Sequence, residues 1–184
     1  MPMDHSYQII RSGRKTAAIQ ITPEGQVILR CPHRMSREAI RSFVQSKSSW
    51  IEAHLTRQAA LPRLPQLTEA QLQALTEEAR KVISARVSHF APAVGVTWER
   101  ITLRRQHSRW GSCSAKGNLS FNCLLMLAPP EVLDYVVVHE LCHRKQMNHS
   151  AAFWAEVERI LPNYRSARQW LKDHGSALIL RLPK

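Results

Sequence analysis

His139-Glu140-Leu141-Cys142-His143, followed by Arg144-Lys145-Gln146-Met147-Asn148-His149, is the stretch on which the reading of this chain turns. On a helix, residues four apart project from one face, so His139 and His143 present their imidazoles one turn from each other. That spacing suits two corners of a zinc tetrahedron, and Glu140 stands beside them to take a proton from water. His149 follows six residues later. With the helix ending near Gln146 to Asn148, the chain turns back and offers a third nitrogen. Three neutral ligands with one open position describe a catalytic zinc site rather than a closed structural one.

An HExxH pattern also arises by chance, on a plain amphipathic helix with surface histidines. Its neighbours favour the metal site. Val132-Leu133-Asp134-Tyr135-Val136-Val137-Val138 is apolar enough for a buried helix, and Pro129-Pro130 is placed to open it, where proline's missing N–H is not needed.

The chain has 184 residues, enough for one domain with a small attachment and a sizeable core. A hydrophobic content of 44% and a charged content of 22% are those of a globular protein. The formal charge of +12 is the unusual quantity and favours anionic partners, nucleotides or nucleic acid among them. The excess is heaviest at the front: +6 over residues 1–66 (10 basic against 4 acidic), +4 over 67–130 (8 against 4) and +2 over 131–184 (8 against 6). No segment approaches the roughly 18 apolar residues that span a bilayer, and residues 1–6 lack the pattern of a signal peptide. Cys31, Cys113, Cys123 and Cys142 form no CxxC pair and read as reduced thiols, so a cytoplasmic location is expected.

Working outward, Tyr7–Arg11, Ala17–Ile21 and Val27–Arg30 read as three strands of a small antiparallel meander, with turn chemistry at Thr22–Gln26 and an end at Pro32. Ser36 caps a helix running to about Arg57, with Ile40, Phe43, Val44, Ile51 and Leu55 on its apolar face and Trp50 as a large apolar contact. Two prolines in Leu61-Pro62-Arg63-Leu64-Pro65 mark a linker. The expected organisation is therefore residues 1–60 as an N-terminal unit, 61–67 as linker and 68–184 as catalytic domain.

Thr68 and Gln71 fit a capping box opening a second long helix, closed by Pro92 and Gly95. A strand over Arg100–Gln106 and a return strand over Asn118–Met126 form a hairpin feeding the zinc helix. Such support for a zinc cleft offers an edge strand on which an extended peptide can pair. Ser150 caps a helix stopped by Pro162. Asn163 opens the last helix, with Gly175 at its exit and Ala177–Leu180 packing or adding a strand.

Arg109-Trp110-Gly111-Ser112-Cys113, Asn122, Pro130, Leu133 through His143, Asn148-His149-Ser150 and Phe153-Trp154 together resemble the YgjP-like metal-dependent hydrolases, relatives of the WLM and SprT-like zinc metallopeptidases. Arg14-Lys15-Thr16, Pro23-Glu24-Gly25-Gln26-Val27, Pro32 and Trp50-Ile51 extend the resemblance to the front, covering about residues 7–174. The resemblance implies an α+β fold with a zincin-like catalytic core, His139, His143 and His149 as zinc ligands, and Glu140 as general base. Where metzincins place a glycine, three residues after the second histidine, this chain has Gln146, so the turn is made another way. Arg109, Trp110, Tyr135 and Asn148 are candidate substrate-side residues, and Arg109, Tyr135, Asn148 and Tyr164 are candidate oxyanion donors.

The expected activity is that of a zinc metallopeptidase acting on protein or peptide. Two other classes are open: a metal-dependent nucleotide phosphohydrolase, a nucleoside triphosphate pyrophosphatase whose Arg and Lys side chains clamp phosphates, and a nucleic-acid-associated binding module with zinc as a structural element. No Gly-rich phosphate loop or cluster of carboxylates for magnesium supports the second. Glu140 counts against the third, since a structural site has no need of that carboxylate.

Overall fold

The structure is a computed structural model that describes residues 6–22, 24–60 and 64–183. The N-terminal stretch before Ser6, Pro23 of the expected turn, and Leu61–Arg63 of the expected linker lie outside the described residues. The architecture is α+β, with helices and two three-stranded sheets, and the chain divides into two compact units, Met1–Arg63 and Leu64–Lys184.

In the first unit, β1 (Tyr7–Ser12), β2 (Ala18–Ile21) and β3 (Val27–Pro32) form a sheet ordered β1-β3-β2. The meander is corrected: β1 runs parallel to β3, and only β2 pairs with it antiparallel. The reason is the apolar run of β3, whose Val27, Ile28, Leu29 and Cys31 are all buried and take the centre of the sheet. Arg11 fixes the parallel end by donating to the carbonyls of His33 (2.7 Å) and Met35 (2.8 Å). At the hairpin between β2 and β3, Thr22 N–H donates to Gln26 O at 2.9 Å, and Gly25 has φ of 85°, a value glycine adopts without a Cβ clash.

The single helix expected from Ser36 is two, α1 (Arg37–Gln45) and α2 (Ser48–Ala59). Ser36 is the N-cap, its Oγ accepting from Ala39 N–H at 3.1 Å. The break follows from serine chemistry: Ser46 Oγ donates to Phe43 O at 2.8 Å and Ser48 Oγ to Gln45 O at 3.0 Å, offering the carbonyls a local alternative to the helix. Trp50 is 43% exposed and lies against His54, their rings tilted and 4.3 Å apart between centroids, instead of entering the core, which is built from Leu29, Cys31 and Ile40.

The second unit begins on a capping box. Thr68 Oγ1 accepts from Gln71 N–H, the Gln71 side chain accepts from Thr68 N–H, and α3 runs from Glu69 to Val94. Pro92 lies inside this helix, and the left-handed Gly95 ends it. β4 (Arg100–Arg104), β5 (Gly111–Cys113) and β6 (Asn118–Asn122) follow in the order β4-β6-β5. The expected hairpin is corrected in two respects. Its first strand, β4, pairs with β6 in parallel, and the antiparallel partner of β6 is the short β5. The return strand also stops at Asn122. That side chain accepts from Leu124 N–H (3.1 Å) and donates to Gln106 O (2.8 Å), turning Cys123–Leu127 into a 3₁₀ helix.

α4 (Pro130–Cys142) is the central helix, with Pro130 in its first turn. It packs against α3, β5, α5 (Ala151–Ile160) and α6 (Tyr164–Ile179). Buried Val136, Val137, Val138 and Leu141 join Phe121, Phe153 and Val157 in one core. The Arg86 guanidinium of α3 grips the Asp134 carboxylate through two 2.6 Å contacts. α6 continues through Gly175 instead of ending there, because the Trp110 indole lies against that residue, 3.2 Å from where a Cβ would stand. Ala177, Leu178 and Ile179 are consequently buried helical residues, not a strand.

Candidate metal centre and active site

α4 ends earlier than its sequence suggests, at Cys142, with His143 as its C-cap. Gln146 N–H donates back to Cys142 O at 3.0 Å, and the Gln146 carbonyl accepts from His143 Nδ1 at 3.0 Å. This is how the chain turns without a glycine at position 146. The same hydrogen bond fixes the His143 tautomer and leaves Nε2 as its open donor atom. Asn148 Oδ1 accepts from Ser150 N–H at 3.3 Å, and Ser150 Oγ in turn caps α5, so His149 projects from a short, braced turn.

His139, His143 and His149 each offer a ring nitrogen, and these atoms lie within 4.8 Å of one another. His139 Nε2 and His149 Nε2 are 3.1 Å apart. Two nitrogens at zinc–nitrogen distance on one tetrahedral ion stand roughly 3.3 Å apart, so the pair is close to the required separation. Phe153 forms an apolar floor, its ring centroid 4.9, 4.6 and 4.9 Å from those of His139, His143 and His149. Burial, then the neighbouring His143, His149 and Arg168, push His139 down to about 3, and His149 is lowered by burial, His143 and Arg168. Neutral imidazoles are the form that binds metal. The donor set and its spacing fit zinc.

Glu140, next to His139 in the last turn of α4, is buried and faces Gly111 of β5. A Cβ on Gly111 would meet its carboxyl and its methylene alike. Its Oε2 is buried and has no hydrogen-bond partner among the described residues. Burial pushes Glu140 up to about 8, with Arg109 pulling the other way. A carboxyl titrating near neutrality, with an unclaimed oxygen, suits general acid–base work.

The remaining candidates are distributed around this centre. Tyr135, four residues before His139, is buried, with its ring 5.8 Å from that of His139 and stacked on Tyr164. Burial pushes its phenol up to about 12, so it keeps its proton, and among the described residues its hydroxyl has no hydrogen-bond partner. Arg109 is exposed on the segment entering β5. Trp110 packs on Gly175 of α6. One nearby side chain is not flagged by the motif: Arg168 of α6, whose guanidinium lies 4.4 Å from the Trp154 ring centroid. Its only local signal is negative, since Tyr164, Arg165, Leu171 and Lys172, its helical neighbours three and four residues away, include no carboxylate.

A paired-histidine helix with a third histidine on the following turn, set in this α+β framework, defines a zinc-dependent hydrolase of the metallopeptidase class. The chain belongs to the YgjP-like family, whose metallopeptidase domain matches residues 15–74 and 64–174. None of the curated proteins searched matches it. Among solved structures it is similar to the metallopeptidase zymogen of Pyrococcus abyssi abylysin, at 23% identity and a TM-score of 0.44, over 49% of this chain and 93% of that one. It is also similar to the zymogen of Methanocaldococcus jannaschii jannalysin, at 22% identity and 0.42, over 49% and 91%.

Proposed function

We propose that the chain hydrolyses peptide bonds, with His139, His143 and His149 holding zinc and Glu140 acting as general base. The observation that carries this reading is the position of Glu140, between the histidine cluster and Gly111 of an edge strand. When bound, the ion supplies Lewis acidity at the substrate carbonyl and makes water more acidic.

β5 is at the edge of its sheet. Its ladder with β6 uses the main chain of Trp110 and Ser114: Asn122 N–H donates to Trp110 O (2.8 Å) and Ser114 N–H to Asn118 O (3.0 Å). By the alternation of an antiparallel ladder, Gly111 and Cys113 direct their N–H and C=O groups outward. An extended peptide pairing there is laid alongside Glu140. The carboxylate takes a proton from the attacking water and returns it to the leaving amine. Tyr135 donates its hydroxyl to the oxygen that gains charge, and Asn148 keeps His149 in place. Arg109 biases Glu140 toward its ionised form.

Phosphohydrolase and nucleic-acid readings draw on net charge, whereas the edge strand beside Glu140 is specific to a peptide. Among the described residues no helix is long and apolar enough to cross a membrane.

Glu140→Gln tests the proposal. The variant should retain zinc and lose peptide hydrolysis by a factor of about 10²–10⁴. Undiminished hydrolysis removes Glu140 from the role of base. Phosphate release from nucleotides that depends on the same histidines, without peptide hydrolysis, replaces the peptidase reading.

A further inference from the structure

Two arginines of α6 stand one turn apart and have different surroundings. Arg165 is engaged: its Nη1 donates to Glu158 Oε1 at 2.5 Å, and its guanidinium lies over the Tyr164 ring. Among the described residues no carboxylate pairs with Arg168, and its one contact of note is the face of Trp154. Trp154 in turn lies 5.8 Å, centroid to centroid, from both His139 and His149. The aromatic face restrains the guanidinium while leaving its in-plane N–H donors free.

This placement has an electrostatic consequence. A fixed positive charge beside three metal ligands opposes the binding of a dication. An unpaired cation at such a position is compensated when an anion arrives with the substrate.

We propose that Arg168, held on Trp154, is a specificity residue that receives a carboxylate of the peptide substrate at the rim of the cleft. The carboxylate comes from an acidic side chain or from a free C-terminus, and both present the two oxygens that the guanidinium fork matches. The inference rests on the peptidase reading and deepens it by naming the substrate class.

Three N-acetylated tripeptides test it: tri-alanine with a free C-terminus, tri-alanine amide, and the amide of Ala-Ala-Glu. Binding is measured by calorimetry on the zinc-loaded full chain carrying Glu140→Gln, so that no probe is consumed, with and without Arg168→Gln. At least one carboxylate probe should bind about tenfold more tightly than the neutral amide, the scale of a charged hydrogen-bond pair. The advantage should vanish with Arg168→Gln at unchanged zinc content, and the two charged probes tell side chain from terminus. Equal binding of all three, no binding of any, or an advantage that survives Arg168→Gln overturns the proposal. Digestion of denatured casein by the unsubstituted protein separates the two readings. Cleavage without an Arg168-dependent preference removes the carboxylate site alone. A preference without cleavage removes the peptidase reading and leaves an anion site.

Discussion

A methyl group on the Cα of Gly111 would lie 2.5 Å from Oε1 of Glu140, and 2.7 and 2.8 Å from its Cγ and Cδ. The contact involves three atoms of a buried side chain, so the carboxyl as a whole has to move to admit a Cβ. Gly111 has no left-handed φ, and its requirement is one of space alone. Gly111→Ala should therefore leave zinc stoichiometry intact and lower kcat by about a hundredfold, the effect of a displacement near 1 Å in a catalytic group. Steady-state kinetics beside metal analysis checks this. Unchanged kcat means that the carboxyl can shift without consequence.

Zinc should stabilise the second unit through His149. At a free zinc concentration about a hundred times its Kd, binding adds about 2.7 kcal/mol, or roughly 5–10 °C in Tm for a domain of this size. His149 is exposed and lies outside the apolar core. Hence His149→Ala should match the metal-free protein in stability, within about 0.5 kcal/mol, yet lose most of the zinc-induced rise in Tm. Calorimetric scans with zinc and with chelator give all four values. An undiminished rise in the variant locates the third ligand elsewhere.

Much of this site was legible because its signals are local. The spacing of His139 and His143, the caps at Ser36, Thr68 and Ser150, and the proline opening α4 each follow from a few adjacent residues. The pairing of β4 with β6 and the central place of β3 depend on residues far apart in the chain, which no local pattern encodes. Gly111-Ser112-Cys113 is too short to show alternation and reads as loop; only Phe121, Ser120 and Leu119 opposite make it a strand. Gly175 has the chemistry of a helix exit, and the indole of Trp110 instead makes it a point of close packing. Arg168 stands out only once α6 is laid beside α5.

The hydroxyl of Tyr135 is separable from its ring. The ring packs on Tyr164 and faces His139, whereas the hydroxyl is unpaired among the described residues. Tyr135→Phe should keep the fold, the zinc and KM, and should lower kcat by about 10²–10³, as removal of one oxyanion donor does. Activity at the level of the unsubstituted protein makes Tyr135 a packing residue alone.

Arg86 and Asp134 join α3 to the helix that carries the site, and their side chains are 36% and 18% exposed. That partial burial places the pair between a solvated surface bridge, worth at most about 1 kcal/mol, and a buried one whose disruption costs about 3–5 kcal/mol. Arg86 also lies over the Phe90 ring, so truncating it removes packing as well as charge. A double-mutant cycle of Arg86→Met and Asp134→Asn isolates the pair, with an expected coupling of about 1–2 kcal/mol in urea denaturation. Asp134 precedes His139 by more than one turn and points to α3, so zinc content should not change in any of the variants. A coupling near zero makes the bridge incidental to stability, and zinc loss in Asp134→Asn shows instead that α3 sets the position of the metal ligands through this contact.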